Sequence, residues 1–102
     1  MTKILLFVFI AVTSIPSYAD DFRDLCNKLN ETAQSIMEDR QEGVSMKKLM
    51  EIAKGNKLIE NIIIAAYDRP RYYTKEMQIK SVEDFRDEIY LYCIRPKFKQ
   101  AE

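Results

Sequence analysis

The stretch RQEGVSM, residues 40–46, lies between two helix-forming segments and contains Gly43, one of only two glycines in the chain. A glycine just after the last turn of a helix favours the left-handed conformation that ends it. Ser45 is a good N-cap residue for a second helix, and Val44 can contact Leu49 as a hydrophobic staple. The stretch therefore predicts a joint between two helices.

Arg40 and Gln41, called the RQ pair below, are not explained by this joint. Charged and amide side chains are mostly exposed in proteins, so we expect solvated positions for both. The alternative is that the RQ pair lines a surface patch that binds a partner.

Apolar residues on both sides of the joint recur at steps of three and four, which is the spacing of one face of an α-helix. They predict a first helix over residues 21–41 and a second over 46–53, which Gly55 can end. Asn56 can cap a third helix over 57–67, which we expect at the centre of the domain because it is strongly apolar. Its isoleucines are also compatible with a β-strand, but the spacing and the flanking caps favour a helix.

Pro70 stops the third helix, because the residue before a proline avoids the helical conformation. Thr74 can cap a last helix from Lys75 to about Ile94, which Pro96 would end, leaving residues 97–102 as a short polar tail. The expected buried faces are Phe22, Leu25, Cys26, Leu29, Ala33, Ile36 and Met37 on the first helix, Met46, Leu49, Met50 and Ala53 on the second, Leu58, Ile59, Ile62, Ile63, Ala66 and Tyr67, widened by Ile64 and Ala65, on the third, and Met77, Ile79, Val82, Phe85, Ile89, Tyr92 and Cys93 on the fourth.

The N-terminal stretch is typical of a secretory signal peptide. Lys3 gives it a positive start, residues 4–12 are an unbroken apolar run, and Ala19 ends a Ser-Tyr-Ala stretch that a signal peptidase could read. We expect residues 1–19 to be removed, leaving 20–102 as a single domain in the periplasm or outside the cell. An uncleaved anchor is the alternative, but a membrane span needs about 20 apolar residues.

The charge balance argues against two classes of partner. The 102-residue chain has 16 basic and 16 acidic side chains, and loss of Lys3 with the signal peptide would leave 15 and 16, a net charge of −1. There is no basic excess to attract nucleic acid or an anionic membrane surface. We expect neither partner, and no stable membrane insertion after cleavage. The sequence leaves the oligomeric state open.

Cys26 and Cys93 are the only two cysteines, and an exported protein meets an oxidising compartment. We expect one disulfide between them, which joins the first helix to the last and requires these helices to pack antiparallel. A loop of this length would stabilise the domain by about 4 kcal/mol. The predicted fold is all-α, a small four-helix domain with its outer helices linked by one disulfide. Redox or metal chemistry is the alternative, but CxxC and histidine are both absent from the chain.

No set of catalytic residues stands out. Without histidine, a hydrolytic triad lacks its usual base and zinc lacks a usual ligand. Carboxylates one helical turn apart, such as Glu83 with Asp87 and Asp84 with Glu88, far more often form a solvated face than an acid–base pair. We therefore expect that the protein is not an enzyme and that it uses no metal and no cofactor.

The stretch YDRPRYY, residues 67–73, is the most site-like part of the chain, because tyrosine and arginine are enriched at the centres of protein interfaces. The alternative interpretation is that these tyrosines pack over helix ends and these arginines lay their stems on apolar surface. The candidate partner-binding residues are Arg40, Gln41, Tyr67, Arg69, Arg71, Tyr72 and Tyr73.

The order of these residues resembles a group of small secreted proteins encoded by bacteria and their phages. The pattern C…RQxGVSM…AYxxPRY…F…C extends over nearly the whole mature chain, from Cys26 through residues 40–46 and 66–72 to Phe85 and Cys93. The resemblance implies export, helices and one disulfide, and it identifies no catalytic residue. It also marks the RQ pair as typical of the group.

Two functions fit the sequence. The first is a periplasmic binding or inhibitory protein, related to a phage or prophage, whose partner is an envelope or periplasmic protein. The second is a periplasmic stress chaperone, similar in architecture to the small acid-activated chaperones, because protonation of its carboxylates at low pH would leave a positive, loosened chain.

Overall fold

The computed structural model describes the backbone of residues 18–101 and the side chains of residues 20–96. Within these limits the chain forms helices α1 (Tyr18–Glu42), α2 (Met46–Ala53), α3 (Lys57–Tyr67) and α4 (Lys75–Ala101), and no strand. The all-α, four-helix prediction is therefore confirmed, and the strand alternative for α3 is wrong. Most of the expected signal peptide, residues 1–17, lies outside the described residues.

Helices α1 and α4 pack as an antiparallel pair. Near the start of α1 and toward the end of α4, Cys26 and Cys93 form a disulfide with their Cα atoms 5.6 Å apart. Further along α1, the side-chain amide of Asn30 donates a hydrogen bond to the backbone oxygen of Arg86, at 3.1 Å. Residue numbers rise along α1 as they fall along α4, as an antiparallel pair requires. The predicted disulfide and the predicted orientation of the two helices are both confirmed.

A single core takes side chains from all four helices, and α2 contributes by packing on α3. The largest fully buried side chains are Met37 of α1, Ile63 of α3 and Phe85 of α4, together with Cys26 of the disulfide. Each lies on a predicted apolar face, so the spacing of apolar residues correctly predicted the centre of the core. The buried hydrophobic residues of the described chain are Cys26, Ala33, Ile36, Met37, Leu49, Ala53, Ile62, Ile63, Ala66, Val82 and Phe85.

Six residues predicted to lie on buried faces are exposed instead. They are Leu25, Leu58, Ile64, Met77, Ile79 and Tyr92, with exposed fractions from 40% at Met77 to 67% at Tyr92. A domain of this size buries a smaller fraction of its surface than a larger one does, so the edges of an apolar stripe can remain uncovered. The prediction of burial was wrong at these edges.

Gly43 ends α1 as predicted, with φ at +94°. The N–H group of Gly43 donates to the carbonyl oxygen of Arg40 at 3.2 Å, and the N–H group of Val44 donates to that of Asp39 at 2.9 Å. These two bonds define a Schellman motif, which satisfies carbonyl groups left free at the end of a helix. The α1–α2 joint is therefore set by residues within one turn of it.

Three predicted cap residues begin the next three helices. Ser45, Asn56 and Thr74 each accept a hydrogen bond on the side chain from the backbone N–H three residues further on, at 3.2, 3.1 and 3.2 Å. Such a bond satisfies one of the free N–H groups of the first helical turn. The predicted starts of α2, α3 and α4 are confirmed.

The end of α4 differs from the prediction. The helix passes Ile94, includes Pro96 and continues to Ala101, so the expectation that Pro96 ends it is wrong. A proline inside a helix removes one hydrogen bond to the carbonyl four residues earlier. That carbonyl belongs to Tyr92, a residue that is 67% exposed, so we expect water to supply the missing donor. The side chains of the expected polar tail, residues 97–102, lie outside the described residues.

Candidate functional site

The connection between α3 and α4, residues 68–74, folds against the C-terminal end of α1, and the RQ pair makes the contact. We call this connection the 68–74 loop. Gln41 is only 2% exposed, and Arg40 is partly buried. The expectation of solvated positions for the RQ pair is therefore wrong. The physical reason is that these two side chains supply hydrogen-bond partners to the backbone of the loop.

Gln41 binds the loop through both ends of its side-chain amide. Its Nε2 donates to the carbonyl oxygen of Pro70 at 3.0 Å, and its Oε1 accepts from the N–H of Tyr72 at 2.8 Å. The backbone carbonyl of Gln41 accepts a third bond, from Nε of Arg71 at 2.9 Å. Burial of an amide is costly unless it is hydrogen-bonded. The burial of Gln41 and the position of the loop are therefore mutually dependent.

Arg40 contacts the first part of the loop. Its Nε and Nη2 atoms donate to the carbonyl oxygen of Arg69 at 3.2 and 3.0 Å, and its guanidinium lies 5.0 Å from the centroid of the Tyr67 ring. The hydroxyl of Tyr67 in turn donates to the carbonyl oxygen of Val44 in the α1–α2 joint. Burial raises the pKa of Tyr67 above its ordinary value of 10.0, while the charge of Arg40 acts to lower it. Arg40 and Tyr67 thus connect the joint to the loop.

Helix α4 holds the other side of the loop. Arg69 forms an ion pair with Glu88, and its guanidinium carbon lies 4.9 Å from the centroid of the Phe85 ring. The side-chain amide of Gln78 donates to the carbonyl oxygen of Tyr72 at 2.8 Å. The backbone of the loop is therefore fixed from α1 and from α4 at once.

The loop directs other groups outward. Tyr73 is 99% exposed, and Arg71 and Pro70 are also exposed. Arg71 passes close to Gly43: a Cβ atom built on this glycine would lie 2.9 Å from Nη2 of Arg71. Gly43 is therefore favoured for its backbone conformation, and a side chain at this position would also displace the end of Arg71.

All seven candidate residues come together in the fold, but they divide into two roles. One set is at least partly buried and its polar groups bind the loop or its supports, and the other set is exposed, although Nε of Arg71 also donates to the carbonyl oxygen of Gln41. The first set is Arg40, Gln41, Tyr67, Arg69 and Tyr72, and the second is Arg71 and Tyr73.

Two residues that support the loop were missed by the sequence analysis. Gln78 was assigned no role, and Glu88 was considered only as half of a carboxylate pair. Gln78, Phe85 and Glu88 follow one another at steps of seven and three, which places them on one face of a helix. That spacing was the available signal, but it does not reveal that the face meets the loop.

A groove of about 200 Å³ lies beside the loop, between the C-terminal half of α1 and the N-terminal half of α4. Gln41 and Gln78, which both bind the loop backbone, also line this groove. We call it the α1–α4 groove. The loop and the groove therefore form adjoining parts of one surface.

Within the described residues, no group of three or more histidine, cysteine or acidic side chains is placed to hold a metal ion. No described helix is both long and apolar enough to cross a membrane. The features that stand out are a fixed loop, two exposed side chains on it and an adjoining groove, and this combination suits binding.

Comparison of the chain with models of protein families, with curated proteins and with solved structures finds no match. The resemblance to small secreted proteins of bacteria and phages therefore stays a prediction. The function has to be argued from the site itself.

Proposed function

We propose that the protein is an exported binding or inhibitory protein, related to a phage or prophage, that uses the 68–74 loop to bind an envelope or periplasmic protein. The observation that carries the proposal is the full exposure of Tyr73 on a loop whose backbone is held from two sides. A side chain that is 99% exposed contributes little packing to its own domain. Its large apolar ring is thus free to contact another molecule.

The fixed backbone supports binding because it reduces the entropy lost on association. Ordering a flexible loop costs free energy that is subtracted from the affinity, whereas a loop already held in place avoids most of that cost. Tyrosine is suited to such a position, since it offers a large rigid ring with few rotatable bonds. Arg71 adds a cationic group next to it, of the kind enriched at interface centres.

Export is supported by two independent features. The N-terminal stretch has the pattern of a signal peptide, and the Cys26–Cys93 disulfide is typical of an oxidising compartment. Intact-mass measurement of the protein from a periplasmic fraction, with and without reductant, tests both. Export predicts a mass that lacks residues 1–19 and rises by two hydrogens on reduction. The full-length mass in that fraction would contradict cleavage.

Site-specific photo-crosslinking tests the binding surface. A photo-reactive phenylalanine analogue replaces Tyr73 in one version of the protein and Tyr92 in another. Tyr92 is the matched control, because it is also an exposed tyrosine but lies next to the disulfide, at the other end of the α1–α4 pair. We expect one discrete covalent adduct from position 73 in the periplasm and none from position 92. Equal labelling from both positions would indicate chance encounters and would count against the proposal.

Affinity for the crosslinked partner gives the second test. Loss of an interface-centre tyrosine typically costs about 2 kcal/mol, so Tyr73→Ala should weaken binding by roughly thirtyfold. Tyr92→Ala should leave the affinity unchanged. Equal affinities for Tyr73→Ala and the unaltered protein would remove the loop from the binding surface.

The acid-activated chaperone stays the second candidate, and one contact favours it. The Arg69–Glu88 ion pair holds the loop to α4, and acid weakens the parts of a fold that are held by ion pairs. Protection of a model substrate from aggregation at about pH 2–3 is the test. A chaperone would protect at that pH and not at neutral pH, and absence of protection at both would exclude this function.

A further inference from the structure

We propose that the α1–α4 groove accepts one basic side chain, arginine or lysine, from the partner protein whose surface contacts Tyr73. The inference rests on the proposed function for the identity of the partner as a protein. The argument for a basic side chain uses only the residues of the groove, so the inference can be tested without the partner.

The position of the groove links it to the loop. Gln41 lines the groove and binds Pro70 and Tyr72, and Gln78 lines it and binds the carbonyl oxygen of Tyr72. A partner segment that lies on Tyr73 therefore needs only a short further extent to reach the groove.

The size of the groove favours a single side chain. Its volume is about 200 Å³, whereas pockets for small molecules typically measure roughly 300–1,000 Å³. A drug-sized ligand would be largely left in solvent here, while one long side chain could be accommodated.

The charges of the groove favour a cation. Three exposed carboxylates line it, those of Glu38, Glu42 and Glu83, against the ammonium group of Lys75. Among the described residues, none of these three carboxylates takes part in an ion pair. The carboxylates of the groove outnumber the cations that line it, and this local negative excess complements a positively charged group.

A second cation, Arg86, also lines the groove, so three carboxylates face two cations and the excess is one negative charge. Nη1 of Arg86 donates to Oε1 of Gln34, another lining residue, at 3.2 Å, and its Nε lies 3.7 Å from the carboxylate of Asp87. Because Asp87 does not line the groove, part of the charge of Arg86 is balanced outside it.

The apolar part of the lining distinguishes a basic side chain from a simple cation. Val82, which is buried, and Ile79, which is exposed, lie among the polar residues of the groove. Arginine and lysine place their methylene stems on such surface while the charged head stays in a polar environment. The groove offers both, with Ile79 and Val82 for the stem and the glutamates for the head.

The test is an NMR titration of the oxidised protein with N-acetyl-arginine amide. A ligand of this size should bind with a Kd of the order of millimolar and should shift the backbone amide signals of Ile79 and Val82. The neutral isostere N-acetyl-citrulline amide is the control ligand, and we expect no saturable shift from it.

Two variants test the charges directly. Glu42→Gln and Glu83→Gln should each weaken binding by about two- to fivefold, the range for an exposed ion pair. Glu51→Gln is the matched control, because Glu51 is an exposed glutamate on α2. A series of salt concentrations gives a readout that needs no variant, since exposed charge pairs weaken as salt rises.

Absence of saturable shifts at the groove, or equal shifts from the arginine and citrulline derivatives, would overturn the inference. So would equal binding by the Glu42 and Glu83 variants and the Glu51 control. These failures are distinct from failure of the proposed function, which is measured by crosslinking from position 73. If position 73 still crosslinks but the groove binds no cation, the further inference fails and the proposed binding function of the loop still stands.

Discussion

The two ends of the α1–α4 pair are held by different chemistry. At one end, Cys26 and Cys93 form a covalent bond. At the other, Gln41 and Gln78 bind the 68–74 loop by hydrogen bonds. The covalent bond needs two residues at the right separation and little from their neighbours. The polar end needs several groups in place together, because each hydrogen bond is useful only while the others position its partner.

The difference also separates stability from function. The disulfide limits the freedom of the unfolded chain, so its effect is spread over the domain. The polar end acts locally, and it carries the two outward-facing residues of the proposed binding surface, Arg71 and Tyr73. We therefore expect loss of the disulfide to lower the free energy of unfolding most. Changes at the loop end should lower it less, but they should also change the position of the loop that carries Arg71 and Tyr73.

The largest effect should come from the covalent end. Reduction of the Cys26–Cys93 bond, which spans 67 residues of sequence, should lower the free energy of unfolding by about 4 kcal/mol. Urea denaturation of the oxidised protein and of the same protein in dithiothreitol measures this, with identical side chains in both samples. Equal midpoints would show that the disulfide contributes nothing to stability, and the two ends of the α1–α4 pair would then not differ as described.

At the polar end, Gln41→Ala should be the most damaging single substitution. It leaves the N–H of Tyr72 and the carbonyl oxygen of Pro70 without their partner, so we expect a loss of about 2–3 kcal/mol. Glu42→Gln, at the next and exposed residue, is the control and should change stability by less than about 0.5 kcal/mol. If urea denaturation gives similar losses for both, the loop is held by something other than Gln41.

The two glycines sharpen the comparison further. Both have positive φ, +94° at Gly43 and +81° at Gly55, but only Gly43 has Arg71 against it. Alanine at either position should cost about 1 kcal/mol for its backbone conformation, and Gly43→Ala roughly 1 kcal/mol more because Arg71 has to move.

The combination of Gly43→Ala with Arg71→Ala tests that explanation. Without the guanidinium of Arg71, the Gly43→Ala change should destabilise the protein no more than Gly55→Ala does. The free energy of unfolding of the double variant is compared with that of Arg71→Ala alone, by urea denaturation. An unchanged excess would place its cause in the backbone instead of in the contact with Arg71.

The smallest expected effect concerns Tyr67. Tyr67→Phe removes the bond to the carbonyl oxygen of Val44 and should cost about 1 kcal/mol at neutral pH. Burial holds the pKa of Tyr67 in the folded protein above 10.0, so the folded state keeps its proton longer than the unfolded state does. This contribution is complete below the unfolded pKa of about 10 and is lost as pH rises through the folded pKa.

The pH dependence can be isolated with a matched control. Above pH of about 10, the stability of the unaltered protein should fall more steeply with pH than that of Tyr67→Phe. Tyr92→Phe, at an exposed tyrosine, should follow the unaltered protein. Parallel slopes for all three would mean that Tyr67 ionises equally in the folded and unfolded states.

Much of the fold could be predicted from the sequence, since its signals act over one turn of helix. Gly43, Ser45, Asn56 and Thr74 lie where the predicted joints and caps require them. The conformation of such residues depends on neighbours three to five positions away, which the sequence displays directly. Pro96 is the exception, because the cost of a proline depends on what else can satisfy the carbonyl that it leaves free.

The sequence named seven residues that the fold brings together at one end of the α1–α4 pair, but it did not indicate Gln78 and Glu88, which also hold the loop. It also predicted a solvated position for Gln41, which is buried. An amide side chain is exposed on average, and its sequence neighbours do not show what it will bind. The groups that bury it belong to Pro70 and Tyr72, 29 and 31 residues further along the chain.

The helix starts, the joints and the pairing of the two cysteines could be predicted from the amino-acid sequence, because they follow from local backbone preferences and from the number of thiols. The polar residues that support the loop, and those that face outward, became apparent only in the folded molecule. The reason is that hydrogen-bond partners distant in sequence are brought together only when α1 and α4 pack. Whether Gln41 is solvated or buried is settled at that step, by the contact between the end of α1 and the 68–74 loop.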